Sequence, residues 1–456
     1  ADWGHQPVYL IHLPAAVQHA SLTGRVLPCT PNNNNETLAM NPMYSRRALF
    51  CAFGLVPLAG ANAEGFIDDS KLKLQLRNVY FNENFRDEHG MSARAARTAK
   101  SERTEWAQGF LLDYQSGFTA GTLGLGMDAL GLYGVKLDSG RGRSGTGLLP
   151  VHDDGRAAGE FASAGATAKA RFAKTIVKYG TLLPKTPVLI YNDARLLPQT
   201  YQGTQVSSND IENLTVTGGH LDRFKLRDSS DSVPIVPDGY SGEKSGDFNY
   251  AGAEYKWGKN TRLSYFYGEL ENFYRQNFAG IQHDLPLAGG VLTGDLRYFN
   301  SVDGGSAYAG KIDNDMLSSQ LSYAIAGHTF GGGYQTLRGD AGLPYISGAT
   351  VYSFSNAGIG KFIEEDENTW MLNYGYNFAA AGVPGLTFST RYLSGNDGKS
   401  TSTVKEWERD AELAYVVQTG TFKGLGMRMR NYVYRSEFSR GRDSNRLYLT
   451  YDIALW

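Results

Sequence analysis

Arginine and lysine side chains recur two residues apart in several segments of the chain. Arg428 and Arg430 are one such pair, and methionines at 427 and 429 alternate with them. Because successive side chains of a β-strand point to opposite faces, the two guanidinium groups would share one face. A guanidinium stays charged and binds a carboxylate through two parallel hydrogen bonds. The spacing therefore indicates a row of cations along which a carboxylate exchanges one partner for the next.

Six further cations stand at equivalent positions in segments that alternate similarly: Lys71, Lys73, Lys169, Arg171, Arg391 and Arg446. A cation that faces lipid at mid-depth costs about 2–4 kcal/mol, so in spanning strands these side chains should face a lumen. The alternative for each is an ion pair with Asp or Glu that only neutralises the wall. Lys174 and Lys178 would face away from Lys169 in a continuous strand, which indicates a bulge or a strand end there.

Patterns typical of enzymes and metal sites are weak. The five histidines after residue 63 lack the spacing of metal ligands, and neither a nucleophile-elbow nor a phosphate-loop motif occurs. Glycines of the segment 121–134 alternate with leucine, which is typical of a crowded strand. We therefore expect no catalytic residue, no metal, no cofactor and no enzymatic activity.

The elements that position the cations are predicted to be strands. One face of the segment 370–378 carries Trp, Leu, Tyr, Tyr and Phe, and the segment 447–455 alternates in the same way. Turn-forming clusters separate such segments, and no uncharged apolar run is long enough for a spanning helix. With 41% hydrophobic residues, 28 Tyr and a net charge of −2, the composition excludes disorder and a general positive field for nucleic acid.

The first 63 residues carry export features. Arg46 and Arg47 precede the apolar run 48–59, and a small-x-small cleavage site follows at 61–63. These features predict an unstructured upstream extension over 1–42, a signal peptide over 43–63 and a mature chain over 64–456. A short core helix is the alternative for the apolar run. Both cysteines precede the cleavage site, so the mature chain contains no disulfide.

A long antiparallel sheet must close into a barrel or expose its edges. Export, aromatic residues at strand ends and the terminal Trp456 favour an all-β transmembrane barrel over a soluble all-β secreted protein. At about 44 residues per hairpin, the exported part makes roughly 16–18 strands around an aqueous lumen.

Several segments resemble the OprD family of substrate-specific outer-membrane porins, and the resemblance spans residues 64–456. It lies in segments 64–70, 76–82, 196–200, 382–388 and 415–420, and segments closer to the OccK branch (OpdK-like and BenF-like channels) are 135–142, 152–156, 248–255 and 405–410. The resemblance implies a monomeric transmembrane antiparallel barrel of 18 strands with long extracellular loops. Some of these loops fold into the lumen, and a basic ladder guides carboxylates.

Individual positions also match this family. The cations that match its basic positions are Arg428, Arg430, Arg446, Lys169 and Arg171. The segment 187–196, with Tyr191, Asp193 and Arg195, matches the constriction loop, and Asp340 matches an acidic position in another inward loop. The OprD-type pattern has a lysine where this chain has Ala414, so the ladder is expected to be shorter on that strand, which weakens transfer of basic amino-acid specificity.

We therefore expect an outer-membrane channel for small carboxylates, with monocyclic aromatic acids such as benzoate or vanillate as the leading substrates. One alternative is uptake of basic amino acids or peptides, held by acidic groups around Asp193 and Asp340. The others are an outer-membrane hydrolase barrel and a structural or adhesive barrel. The expected partners are the solutes and outer-membrane lipid, without nucleic acid, and the expected assembly is a monomer or a weak trimer.

Overall fold

The alternating segments form the strands of one closed barrel in the computed structural model, which describes residues 65–97, 99–397 and 405–456. The predicted extension (1–42) and signal peptide (43–63) lie outside the described residues. Within these ranges eighteen spanning strands pair with antiparallel neighbours, and the first strand pairs with the last, so the predicted fold class is confirmed. The spanning strands are β1 (Lys71–Phe85), β2 (Glu102–Gln115), β3 (Leu123–Asp138), β4 (Glu160–Phe172), β5 (Thr175–Leu182), β8 (Thr200–Ser208), β9 (Leu214–Lys225), β11 (Phe248–Trp257), β12 (Thr261–Leu270), β13 (Tyr274–Leu287), β14 (Gly290–Asp303), β15 (Asp313–Ile325), β16 (His328–Gly339), β17 (Glu367–Asn377), β18 (Leu386–Asp397), β19 (Lys405–Val416), β20 (Gly426–Ser436) and β21 (Arg442–Ala454).

The remaining elements are short and lie in the connections. They are β6 (Lys185–Thr186), β7 (Leu189–Ile190), β10 (Val233–Pro234), the helical turn α1 (Ala93–Ala96) and the 3₁₀-helix η1 (Phe378–Ala381). Among the described residues, no helix combines the length and the apolar character needed to cross a membrane.

Alternation along each strand separates a lumenal face from a lipid face. On β3, Leu123, Leu125 and Met127 are exposed on the outside, whereas Gly124 and Gly126 lie on the lumenal face opposite β4. The start of β1 and the end of β21 lie at the end of the barrel where connections are short, which is the periplasmic end in barrels of this kind. The long loops lie at the other end.

Three long loops fold into the lumen, and we call them loop A (183–199), loop B (226–247) and loop C (340–366). Isolated backbone bridges join loop A to loop C at Ile190 and Thr350, and loop B to loop C at Pro237 and Ile346. Apolar residues of the three loops pack with inward side chains of β8 to β16 in one large buried cluster. The side of the lumen along β8 to β16 is therefore filled with apolar side chains, and smaller buried clusters that include residues of loops A and C lie against β1 to β4, β17, β18 and β20.

Candidate functional site

The eight cations predicted to form a ladder all lie on the inward faces of their strands. The inward face of β1 is identified by Arg77, because this residue bonds to Asp193 in loop A. Lys71 and Lys73 share that face towards the periplasmic end, where the Lys73 Nζ atom lies 3.6 Å from the Asp452 carboxylate. The other six lie on β4, β18, β20 and β21, so all eight lie outside the strands β8 to β16 that carry the large apolar cluster.

Arg428 and Arg430 share a face of β20 but differ in their surroundings. The Arg430 Nε atom lies 2.5 Å from the Glu412 carboxylate, and its side chain is only 6% exposed. The Arg428 Nε atom lies 3.5 Å from the other oxygen of Glu412, and its side chain is 47% exposed. Arg428 therefore presents its guanidinium to the lumen, whereas Arg430 mainly neutralises a wall carboxylate.

Wall carboxylates also bind Arg391 and Lys169. The Arg391 Nε atom lies 2.7 Å from Asp410, and its Nη2 donates to the Asn356 carbonyl in loop C. The Lys169 Nζ atom lies 2.5 Å from Asp128. Arg171 instead stacks its guanidinium over the Phe118 ring, 4.4 Å from the ring centre. Part of the predicted ladder is thus neutralised by carboxylates of the barrel wall, in agreement with the ion-pair alternative.

The segment after Arg171 contains a hairpin turn, so the strand end that the broken alternation indicated is present and Lys178 does not face away from Lys169. Strand β4 ends at Phe172 and β5 begins at Thr175, and the turn between them resets the alternation. Lys178 is consequently the direct cross-strand partner of Lys169 on the lumenal face, and its Nζ lies 3.1 Å from Asp128.

Arg77 is a lumenal cation that the sequence analysis did not select. Its Nη1 lies 2.6 Å from Asp193 in loop A and also donates to the Arg195 carbonyl. Gly109 stands directly across from it on β2, where a Cβ atom would lie 3.2 Å from Leu196, so the glycine makes room for loop A. The alternation along the strand could have identified Arg77, because this residue lies on the same face as Lys71 and Lys73.

Loop A brings a second group of cations together above Arg77. The Arg195 side chain is fully buried, and its guanidinium lies 4.8 Å from the centre of the Phe81 ring, on which Arg446 also stacks at 4.4 Å. Arg227 of loop B joins them, because Arg195 and Arg227 both lie beside Gly147. Burial and the neighbouring Arg446 and Arg227 lower the pKa of Arg195 well below its ordinary value.

Two donors of this arginine cluster (Arg195, Arg227 and Arg446) have no acceptor among the described residues. They are Arg195 Nη2 and Arg227 Nη1, and both atoms are buried. Burial likewise lowers the pKa of Arg227, although the nearby carboxylates of Asp228 and Asp238 act in the opposite direction. Buried donors on adjacent cations favour an anionic ligand. Sequence reasoning missed Arg227, since it lies in a loop without periodicity.

The predicted constriction residues do not all lie together. Tyr191, Asp193 and Arg195 lie in loop A inside the lumen, and burial together with Asp193 raises the pKa of Tyr191 to about 12. Asp340 instead pairs with Lys311, with 2.7 Å between the Nζ and carboxylate atoms, and both side chains are well exposed. The structure thus separates Asp340 from the group around Asp193.

A cavity of about 180 Å³ lies in the lumen beside the start of loop A. Its lining combines the charged groups of Asp113, Asp128 and Lys178 with the apolar side chains of Leu130 and Leu182. Such a lining offers both a polar and an apolar surface to a small solute. The described residues contain no group of three His, Cys, Asp or Glu side chains that would hold a metal ion.

Comparison with known proteins agrees with this architecture. Residues 64–455 match the family described as outer membrane porin, OprD family. The chain is 38% identical to the porin-like protein GalP of Pseudomonas putida, covering 91% of this chain and 98% of that one. The structure of OccK9 (OpdG) from Pseudomonas aeruginosa is similar at a TM-score of 0.82 and 41% identity, covering 86% of this chain and 100% of that chain.

The structure of Pseudomonas aeruginosa OpdK with vanillate is similar at a TM-score of 0.80 and 39% identity, again covering 86% of this chain and 100% of that chain. These relatives are porins and not enzymes, and the resemblance to the OccK branch is confirmed. The chain belongs to the OprD family of outer-membrane porins, and it is a channel of the outer membrane.

Proposed function

We propose that this channel passes small carboxylate-bearing solutes and that its lumenal cations guide them. The observation that carries the proposal is the arginine cluster, where buried guanidinium donors lack acceptors among the described residues. Arg428, whose side chain is 47% exposed, continues the cationic surface towards the periplasmic end. A carboxylate can accept two parallel hydrogen bonds from a guanidinium, so it can be transferred from one arginine to the next.

We further propose monocyclic aromatic acids, such as benzoate or vanillate, as the preferred solutes. The lining of the lumenal cavity includes Leu130, Leu182 and Leu183, so the ring of such a solute would meet an apolar surface there, while its carboxylate would bind lumenal arginines. The similarity to OpdK, whose structure is described with vanillate, supports the same class.

Uptake of basic amino acids or peptides is the second candidate. It would require acidic groups that are available to the cationic end of a solute. Asp193 is engaged by Arg77, and Asp340 lies in an exposed pair with Lys311. These contacts favour carboxylates over cations.

Solute permeation into vesicles containing the purified protein tests the proposal. We expect benzoate to pass faster than benzamide, a neutral solute of similar size, and Arg227→Gln to slow benzoate several-fold because one desolvated donor group is lost. Lys311→Gln removes the same charge from an exposed loop and is expected to change neither rate. If Arg227→Gln slowed benzamide as much as benzoate, the loss would reflect a narrowed pore and the proposal would fail.

A further inference from the structure

The outer wall of the barrel carries a cationic patch that a solute channel does not require. Arg409 on β19 and Arg435 on β20 stand on outward faces, because their strand neighbours Glu408 and Tyr434 are buried on the lumenal side. Arg86, in the loop after β1, lies beside them through a shared carboxylate. The Asp443 oxygens lie 2.6 Å from Arg86 and 2.7 Å from Arg435.

A row of polar side chains continues from Arg409 on β19 across four neighbouring strands, β20, β21, β1 and β2. Arg409 donates from Nη2 to the Asn431 side-chain oxygen, and Asn431 donates to Asn445 over 2.8 Å. Asn445 is the cross-strand partner of Asn82, which in turn donates to Thr104 over 2.9 Å. The side-chain amides therefore prolong the polar surface at the level of Arg409.

Aromatic rings fix the depth of the patch in the membrane. Tyr392 is the cross-strand partner of Arg409, and Trp407 is the partner of Arg435, whose guanidinium lies 6.0 Å from the Trp407 ring centre. The two rings stack at 5.8 Å, and Trp370 continues the row at 5.4 Å from Tyr392. Outward aromatic rows mark the membrane–water interface. The cations therefore lie at headgroup depth, at the end of the barrel that carries the long loops.

The charge of this sector contrasts with that of the remaining wall. The patch contains three arginines and one carboxylate, Asp443, and Lys405 lies on the same outward face of β19. Elsewhere in the loop-side half of the wall, outward arginines stand directly across from acidic residues, as Arg275 does from Glu269 and Arg338 from Asp315. The positive charge is thus concentrated where one kind of anionic partner would bind.

We propose that this patch (Arg86, Arg409 and Arg435, with Asn431 and Asn445) binds the phosphate groups of a phosphorylated lipid in the outer leaflet. Arginine suits the partner because its planar guanidinium binds phosphate bidentately. The side-chain amides supply donors for the sugar or ester oxygens of the headgroup. The adjacent row of rings contacts the upper part of the acyl chains. The lipid would anchor one sector of the barrel without entering the pore.

Native mass spectrometry of the purified barrel in detergent, with diphosphorylated lipid A added as the probe, tests this proposal. Dephosphorylated lipid A with the same acyl chains serves as the second probe. We expect Arg409→Gln combined with Arg435→Gln to weaken binding of the diphosphorylated lipid about tenfold. Binding of the dephosphorylated lipid should not change.

Arg275→Gln combined with Arg338→Gln is the matched control, since both arginines are exposed on the outward faces of other strands. Heat-modifiable migration on gels establishes that each variant is folded before binding is compared. Equal affinity of the patch variant and the native protein would overturn the proposal. Equal weakening in the control variant, or with the dephosphorylated lipid, would also overturn it. Loss of a lipid-free oligomer in the patch variant would show instead that the patch binds a second copy of the chain.

Discussion

Arg428 and Arg430 show how far two residues of one type on one strand face can differ. Arg430 is buried against Glu412, so its charge is compensated within the wall. Arg428 shares that carboxylate at a longer distance and remains half exposed to the lumen. The distinction depends on Glu412, which lies on the neighbouring strand.

Arg428→Gln should slow permeation of benzoate several-fold and leave benzamide permeation nearly unchanged. The substitution removes a charge-assisted hydrogen-bond partner that is worth about 1.5–3 kcal/mol to a bound anion. The buried carboxylate beside it keeps another ion pair. Paired flux measurements in vesicles give both rates. A similar loss for the two solutes would show that Arg428 shapes the pore rather than binds carboxylates.

Arg430→Gln should mainly lower stability. It leaves Glu412 with only the distant Arg428, and removal of one partner of a buried ion pair costs about 3–5 kcal/mol. The midpoint of urea-induced unfolding in lipid vesicles measures the effect, with Arg428→Gln as the control. Unchanged stability of Arg430→Gln would mean that its pair with Glu412 contributes little.

At the scale of elements, the glycines of β3 make room for cations of β4. A Cβ atom at Gly126 would lie 2.6 Å from the Lys169 Cε atom and 2.6 Å from the Gly117 carbonyl oxygen. A Cβ atom at Gly134 would lie 2.4 Å from the Phe161 ring. The alternation of glycine in this strand thus reflects crowding on the lumenal face, in agreement with the crowded-strand interpretation.

Gly126→Ala should destabilise the barrel by about 1–3 kcal/mol, because Lys169 and a backbone carbonyl both have to move. Gly131→Ala is the matched control on the same strand, since its Cβ atom would meet only Leu112 at an ordinary 3.5 Å. Unfolding midpoints of the two variants give the difference. Equal midpoints would show that the lumenal face of β3 accommodates a methyl group.

The strands and their lumenal faces were predictable because both depend on local alternation. Lys71 and Lys73 lie on the predicted face of β1 for this reason. The broken alternation before Lys178 indicated a bulge or a strand end but not a two-residue turn, since neither Ala173 nor Lys174 is a typical turn former. Partners in the lumen were not predictable either, because Arg77 and Asp193 are 116 positions apart and meet only after loop A has folded inward.

At the scale of the whole molecule, the net charge of −2 does not describe the field that a solute experiences. Cations concentrate on the inward faces of one group of neighbouring strands, where several pair with inward carboxylates such as Glu412 and Asp452, and other acidic residues lie on the outside and in loops. Charges in a narrow, low-dielectric passage act more strongly than distant charges that salt screens.

The channel should therefore prefer anions in a salt gradient. Reversal potentials across planar bilayers measure this preference, and Arg428→Gln should reduce it, whereas Lys311→Gln should not. Clear cation selectivity of the native protein would contradict a guiding role for the lumenal cations.

The exported chain should begin at Glu64, directly after the small-x-small site at residues 61–63. Cleavage there removes Cys29 and Cys51 together with the apolar run. Intact-mass analysis of protein from outer membranes checks the N-terminus. A mass that includes Cys51 would show that the apolar run is retained.

The joined loops A, B and C make the lumen two-sided rather than round. Arginines lie on the inward faces of β18, β20, β21 and β1, and the large apolar cluster fills the side of β8 to β16. The electric field in the narrow part consequently points across the passage as well as along it. An aromatic acid in this field is expected to pass with its long axis perpendicular to the pore axis. Its carboxylate would face the arginines and its ring edge would face the loops. Its rate of passage then depends on the length of the molecule from carboxylate to para position, which lies across the passage, more than on its molecular mass.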